Sequence, residues 1–120
     1  MMFDKEFISL KKASSHSTEK IQPFLLDDEN VECHYQSIRD SIIFTDKRIM
    51  IVDVEGIGKK KSVLSVPYSK IITFEVETTG VFDVDSELKI NLKNGQKMRF
   101  AFLGNNQLYR ICQIISSYIL

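Results

Sequence analysis

A chain of 120 residues with 43% apolar and 27% charged side chains has the size and balance of one globular domain, able to bury a core without disulfides or metal. Its 16 basic and 16 acidic residues cancel, so no global field pulls it onto nucleic acid or an anionic membrane, and such binding would need a local patch. The opening MMFDKEFISLKK carries acids and no continuous apolar stretch, unlike a signal peptide, and the longest apolar run, IMIV at 49–52, is far too short for a membrane span. The expected setting is therefore cytoplasmic.

In chain order, residues 1–30 read as an N-terminal arm with a short helix: FISL is amphipathic, SSHST at 14–18 signals a loop, and EKIQPFLL at 19–26 suits a helical turn that tolerates Pro23. Strand signals then run from 31 to 103. VECHYQSI and SIIFT form a hairpin, TDK at 45–47 turns the chain, and RIMIVD is rich in β-branched residues. After GIGKKK come SVLSV and PYSK, where Pro67 closes a strand. ITFEVET alternates, with Ile72, Phe74 and Val76 on one face and Thr73, Glu75 and Glu77 on the other.

SELKINLKNGQKMRFAF is the clearest hairpin. A two-residue Asn-Gly turn would set Leu92 against Lys97 and Ile90 against Arg99, opposing apolar to charged side chains on one face. A three-residue loop, Lys93 to Gly95, with Gly95 left-handed and a bulge behind it, instead pairs Ile90 with Met98 and Leu88 with Phe100. From 105 the period changes: Leu108, Ile111, Cys112, Ile115, Tyr118 and Ile119 follow helical spacing, and Asn105 or Asn106 can cap the start.

Seven strands result, at about 31–38, 41–45, 47–53, 61–66, 71–77, 85–92 and 97–103, followed by one helix. Short connections favour an antiparallel meander that rolls into a barrel or packs as two sheets, with the helix plugging an open end.

Candidate chemistry is sparse. GIGKKK fails the phosphate-loop pattern, since Ile51 and Asp53 stand where its first glycine would, and no Ser or Thr follows Lys59. Lys59, Lys60 and Lys61 leave two readings, a solvated turn protecting an edge strand or a weak anion and lipid-headgroup contact. In FDVDSE the carboxylates of Asp83, Asp85 and Glu87 share a face, but a calcium loop needs glycine where Leu88 stands. Cys33 and His34 are strand neighbours on opposite faces, so they form no nucleophile–base pair, and His34 shares a face with Glu32 and Gln36 that suggests solvent. The two cysteines read as buried free thiols. Phe74, Phe100 and Phe102 have core spacing, which argues against nucleic acid.

Seven strands and a C-terminal helix are the order of the pleckstrin-homology (PH) superfold. The stretches IRDSIIFTDKRIMIVDVEGIGKKK and VPYSKIITFEVETTGVFDVDSELKI, with Arg39, Asp40, Asp53, Gly56, Pro67, Tyr68, Gly80, Phe82 and Asp83 at their characteristic spacing, resemble the small bacterial PH-domain family of single-domain proteins without assigned function. The likeness covers residues 25–120 and makes 31–120 the PH-like domain. It implies a mainly β, PH-like barrel capped by the helix, no known enzymatic activity, and a tendency to form ring-like homo-oligomers; no cofactor is expected. With the absence of catalytic groups, this leads to an expected non-enzymatic binding and assembly module that self-associates and offers a surface to a protein partner. Exposed strand edges or the polar face bearing Glu77, Phe82, Asp83, Asp85 and Glu87 would carry the self-association. The alternative is peripheral binding to anionic lipid headgroups through the lysine loop.

Overall fold

A computed structural model describes residues 3–14, 19–55, 60–78, 85–104 and 107–120. Eight strands and the C-terminal helix are described among these residues: β1 (Lys5–Lys12), β2 (Val31–Gln36), β3 (Asp40–Thr45), β4 (Arg48–Glu55), β5 (Lys60–Pro67), β6 (Ile71–Thr78), β7 (Ser86–Leu92), β8 (Lys97–Phe102) and α1 (Leu108–Ile119). They form one curled, half-barrel sheet in the order β5-β4-β3-β2-β1-β8-β7-β6. The architecture is mainly β and PH-like, as the sequence implied.

Two details correct that reading. The expected seven strands lack β1, and the meander is interrupted: β1 inserts between β2 and β8, while β5 and β6, consecutive in the chain, lie at opposite edges. The reason β1 escapes a period-2 search is local. Phe7 faces Phe100 and Leu10 faces Phe102, so three steps on β1 match two on β8. The extra residue is absorbed at Ser9, whose φ of 56 is left-handed, and Phe7 and Leu10 both reach the core. Beyond the bulge Lys11 and Lys12 pair with β2 instead. One strand thus serves both halves of the sheet and turns its corner. Within 19–26, where the short helix was expected, the chain forms a 3-10 turn at Gln22–Phe24, with Pro23 inside it where its missing N–H costs nothing.

The β7–β8 hairpin has the three-residue loop. Ile90 pairs with Met98 and Leu88 with Phe100, Gly95 has φ +90, and the Leu92 carbonyl accepts the Gly95 N–H while the Leu92 N–H donates to the Gln96 carbonyl. β6 departs from strict alternation: a bulge between Ile71 and Thr73 sends Ile71 into the core and leaves Ile72 exposed, with Phe74 and Val76 half-buried.

The concave face holds the main core. Tyr35, Phe44, Phe100 and Phe102 meet there at centroid distances of 4.8 to 6.5 Å, mostly edge-to-face. α1 closes one end with Leu108, Ile111, Ile114 and Ile115 buried, so Ile114 joins the expected stripe and Tyr118 is its half-exposed margin, its ring against Tyr68 at 5.1 Å. Asn105 and Asn106 lie outside the described residues; Gln107 occupies the cap position, its N–H donating to Tyr35 Oη at 2.7 Å.

A second cluster sits on the convex face, where Ile21 and Leu25 cover Ile43, Met50 and Val52. Residues 19–30 are held there by Glu29, only 6% exposed, whose Oε2 accepts from Arg48 Nε (2.9 Å) and Thr45 Oγ1 (2.7 Å) and whose Oε1 accepts from Arg48 Nη2 (2.9 Å) and the Leu26 N–H (3.1 Å). Burial raises the Glu29 pKa, but these hydrogen bonds and the Arg48 charge outweigh it and hold the carboxyl down at about 2.

Candidate functional site

Among the described residues, β5 and β6 each have one edge that no other strand pairs. An open edge presents backbone N–H and C=O groups that ordinarily find a partner or a cover. Val63 on β5 and Ile72 on β6 stand exposed beside these edges, at 41% and 55%. Pro67, which has no backbone N–H to offer, ends β5.

The acidic face is built on β6, β7 and β8. Phe82 and Asp83 lie outside the described residues. Glu77 and Glu87 face each other across β6 and β7, and each is met by a cation two pairs along the ladder: Lys89 reaches Glu77 at 2.6 Å, and Arg99 holds Glu87 and approaches Glu6 at 3.8 Å. Asp85 accepts the Gly104 N–H at 2.7 Å. The three described carboxylates are therefore engaged within the chain and do not converge. Among the described residues no three His, Cys, Asp or Glu side chains gather in a metal-binding arrangement.

Of the loop lysines, Lys59 lies outside the described residues, Lys60 is placed as β5 backbone opposite Glu55, and Lys61 is exposed opposite Val54. Lys61 lines a cavity of about 290 Å³ with Lys20, Phe24 and Val63, at the border of the 19–26 segment and the convex face. The sequence offered no reason to bring Lys20 and Lys61 together, because Lys20 belongs to a segment whose docking face was not legible.

Cys33 and His34 point to opposite sides as expected, but His34 is not in solvent. It is 7% exposed, and burial lowers its pKa. Its cross-strand neighbour Ile43 belongs to the convex cluster, so the face read as wet is covered by the N-terminal segment. The Cys33 thiol donates to Gln107 Oε1 at 3.1 Å, and burial, then the Glu32 charge, push it up to about 11. Both cysteines are free.

One carboxylate pair went unnoticed in the sequence. Asp40 and Asp53 are direct partners across β3 and β4, at the wall of a cavity of about 430 Å³ that Lys5 and Arg39 also line. Burial, a hydrogen bond to Asp53 and that group's charge push Asp40 up to about 6. They stand thirteen positions apart in the chain, and the β3–β4 register brings them together.

The sequence pattern that defines the bacterial PH domain matches residues 1–119, nearly the whole chain. The chain belongs to the bacterial PH domain family. This bacterial PH domain is 40% identical over 115 residues to the uncharacterized protein YjqA of Bacillus subtilis, covering 90% of this chain and 92% of YjqA. It is 27% identical over 105 residues to the uncharacterized protein YozO of the same organism, covering 88% and 91%. Among crystal structures, a protein with a pleckstrin-homology domain from Shewanella loihica PV-4 superimposes with a TM-score of 0.72 at 31% identity, over 94% of this chain and 99% of that one. A pleckstrin homology domain from Shewanella amazonensis SB2B follows at 0.62 and 33%, over 88% and 87%. The family match begins at residue 1, so it takes in the β1 segment that lies before the stretches legible as PH-like. No helix among the described residues is long and apolar enough to cross a membrane.

Proposed function

We propose that this bacterial PH domain is a non-enzymatic binding and assembly module that self-associates through its strand edges and presents further surface to a protein partner. The observation that carries the reading is the open sheet, in which, among the described residues, no strand pairs the outer side of β5 or β6 and Ile72 is exposed at the β6 edge. Edge pairing between copies would satisfy the backbone groups and cover that apolar side chain together. Glu77 lies on the same edge strand, so the acidic face flanks the contact.

The test is native mass by light scattering after size exclusion, at two salt concentrations. A discrete oligomer stable to salt is expected, and Ile72→Lys should dissociate it. A monomer at all concentrations defeats the assembly reading.

A second reading is favoured by one juxtaposition. Lys61 and Lys20 stand beside exposed Phe24, at 49%, giving cations next to an apolar side chain as peripheral lipid contacts require. Cosedimentation with vesicles containing phosphatidylserine, weakened by salt and abolished by Lys59, Lys60 and Lys61→Glu, is the expected result. Absence of cosedimentation at low salt removes it.

A further inference from the structure

The curled sheet does not close, and the gap has a shape. Between the β5 edge and the β7–β8 hairpin runs a cavity of about 460 Å³. Its floor is the margin of the main core, formed by Leu64 and Val66 from β5 and Leu92 and Met98 from the hairpin. Its rim carries Lys70 and Lys93, which are exposed and are tied together by a hydrogen bond from the Lys93 N–H to the Lys70 carbonyl at 2.8 Å. Among the described residues neither lysine has an ion-pair partner, although most other cations of the hairpin face are matched with carboxylates, as Lys89 and Arg99 are.

Three features therefore coincide: an unpaired strand edge, an apolar slot alongside it, and two cations without counter-charge at the mouth. An extended peptide answers all three. Its backbone adds to β5, its inward side chains alternate into the slot, and an acidic residue at its outer end meets the lysines. A helical ligand would leave the β5 backbone unsatisfied, and a basic one would meet Lys70 and Lys93 with like charge.

We infer that the β5–hairpin groove is a docking site for an extended acidic segment of a partner protein, with large apolar residues at alternate positions. The inference rests on the reading of this domain as a binding module and deepens it by naming the surface and the chemistry of the partner.

The experiment selects twelve-residue peptides from a random display library on the immobilised full chain, then titrates the best peptide into ¹⁵N-labelled protein. The expected winners alternate apolar residues with neighbouring Asp or Glu, and they shift amide signals along β5 and at Lys93 to Gln96. The Lys70→Glu, Lys93→Glu double variant, both changes being at exposed positions, should weaken binding about tenfold, and a peptide with Lys in place of its acids should recover it. Selected peptides whose shifts map to another surface, or whose affinity is unchanged by the charge reversal, overturn the groove while the binding-module reading survives. No selected peptide combined with a salt-stable oligomer also overturns the groove and leaves assembly standing. No peptide together with a clean monomer removes both.

Discussion

Glu29 is the place where one buried carboxylate has a measurable share of the stability. In Glu29→Gln the shape is kept and the charge removed. Both carboxylate oxygens accept two donors each, so whichever way the Gln amide turns, its NH2 meets two of them. Arg48, with its side chain 21% exposed, would also lose the charge it pairs with. The acid–base linkage expresses the same contacts as a free energy. A carboxyl lowered from 4.5 to about 2 binds its proton more weakly in the folded state, so ionisation adds about 3 kcal/mol that is fully present above pH 4.5 and is lost as pH falls toward 2. Urea denaturation at pH 7 is the assay. With a slope of about 1.5 kcal/mol/M for a domain of this size, the midpoint should drop by about 2 M in Glu29→Gln. The variant should also lack the wild-type loss of stability between pH 4.5 and 2. Asp28→Asn is the control: its bridge to Lys47 at 3.4 Å is largely in water and should cost under about 0.5 kcal/mol. A midpoint shift below about 0.5 M for Glu29→Gln, or parallel acid profiles for the two proteins, would refute the argument.

Three further outcomes follow from the geometry. Gly95→Ala keeps open space around the new Cβ but forces a side chain into φ +90, and should lower stability by about 1 kcal/mol in a thermal melt. Asp40, raised to about 6, binds its proton more tightly in the folded state, so its contribution is present at low pH and is lost as pH rises from about 4 through 6; Asp40→Asn should raise the melting temperature at pH 7 and leave it near wild type at pH 4. The Cys33 thiol, buried and pushed up to about 11, should resist Ellman's reagent at pH 8 in the native protein and react at once in guanidinium; immediate labelling without denaturant would contradict its burial.

Much of the second half of the sheet was legible because its pattern had only one consistent solution. In the β7–β8 hairpin an even loop would have opposed Leu92 to Lys97, and facial agreement alone selected the odd loop that Gly95 now makes. α1 was equally plain, since the stripe through Leu108, Ile111 and Ile115 persists over three turns. β1 was not legible because Phe7 and Leu10 are three apart, a helical interval produced in a strand by the Ser9 bulge. His34 was misplaced for a different reason. Alternation says which side chains share a face but not whether another segment covers that face, and Ile21 and Leu25 arrive from outside the strand pattern. Of the candidate site, the acids and lysines could be read as residues, but their engagement could not. Glu77 and Glu87 are spoken for by Lys89 and Arg99, a matter of ladder register between strands.

The position of β1 bears on how the chain gets to this fold. Remove that strand and the sheet separates into two local meanders, β2–β5 and β6–β8, each made of neighbours a few residues apart. Such units form quickly, whereas joining them requires Lys5 to find Met98 across almost the whole sequence. β1 thus pairs with a strand that follows it by about ninety residues, the long-range contact with the largest loop-closure cost in the sheet, and it joins two halves whose own pairings are local.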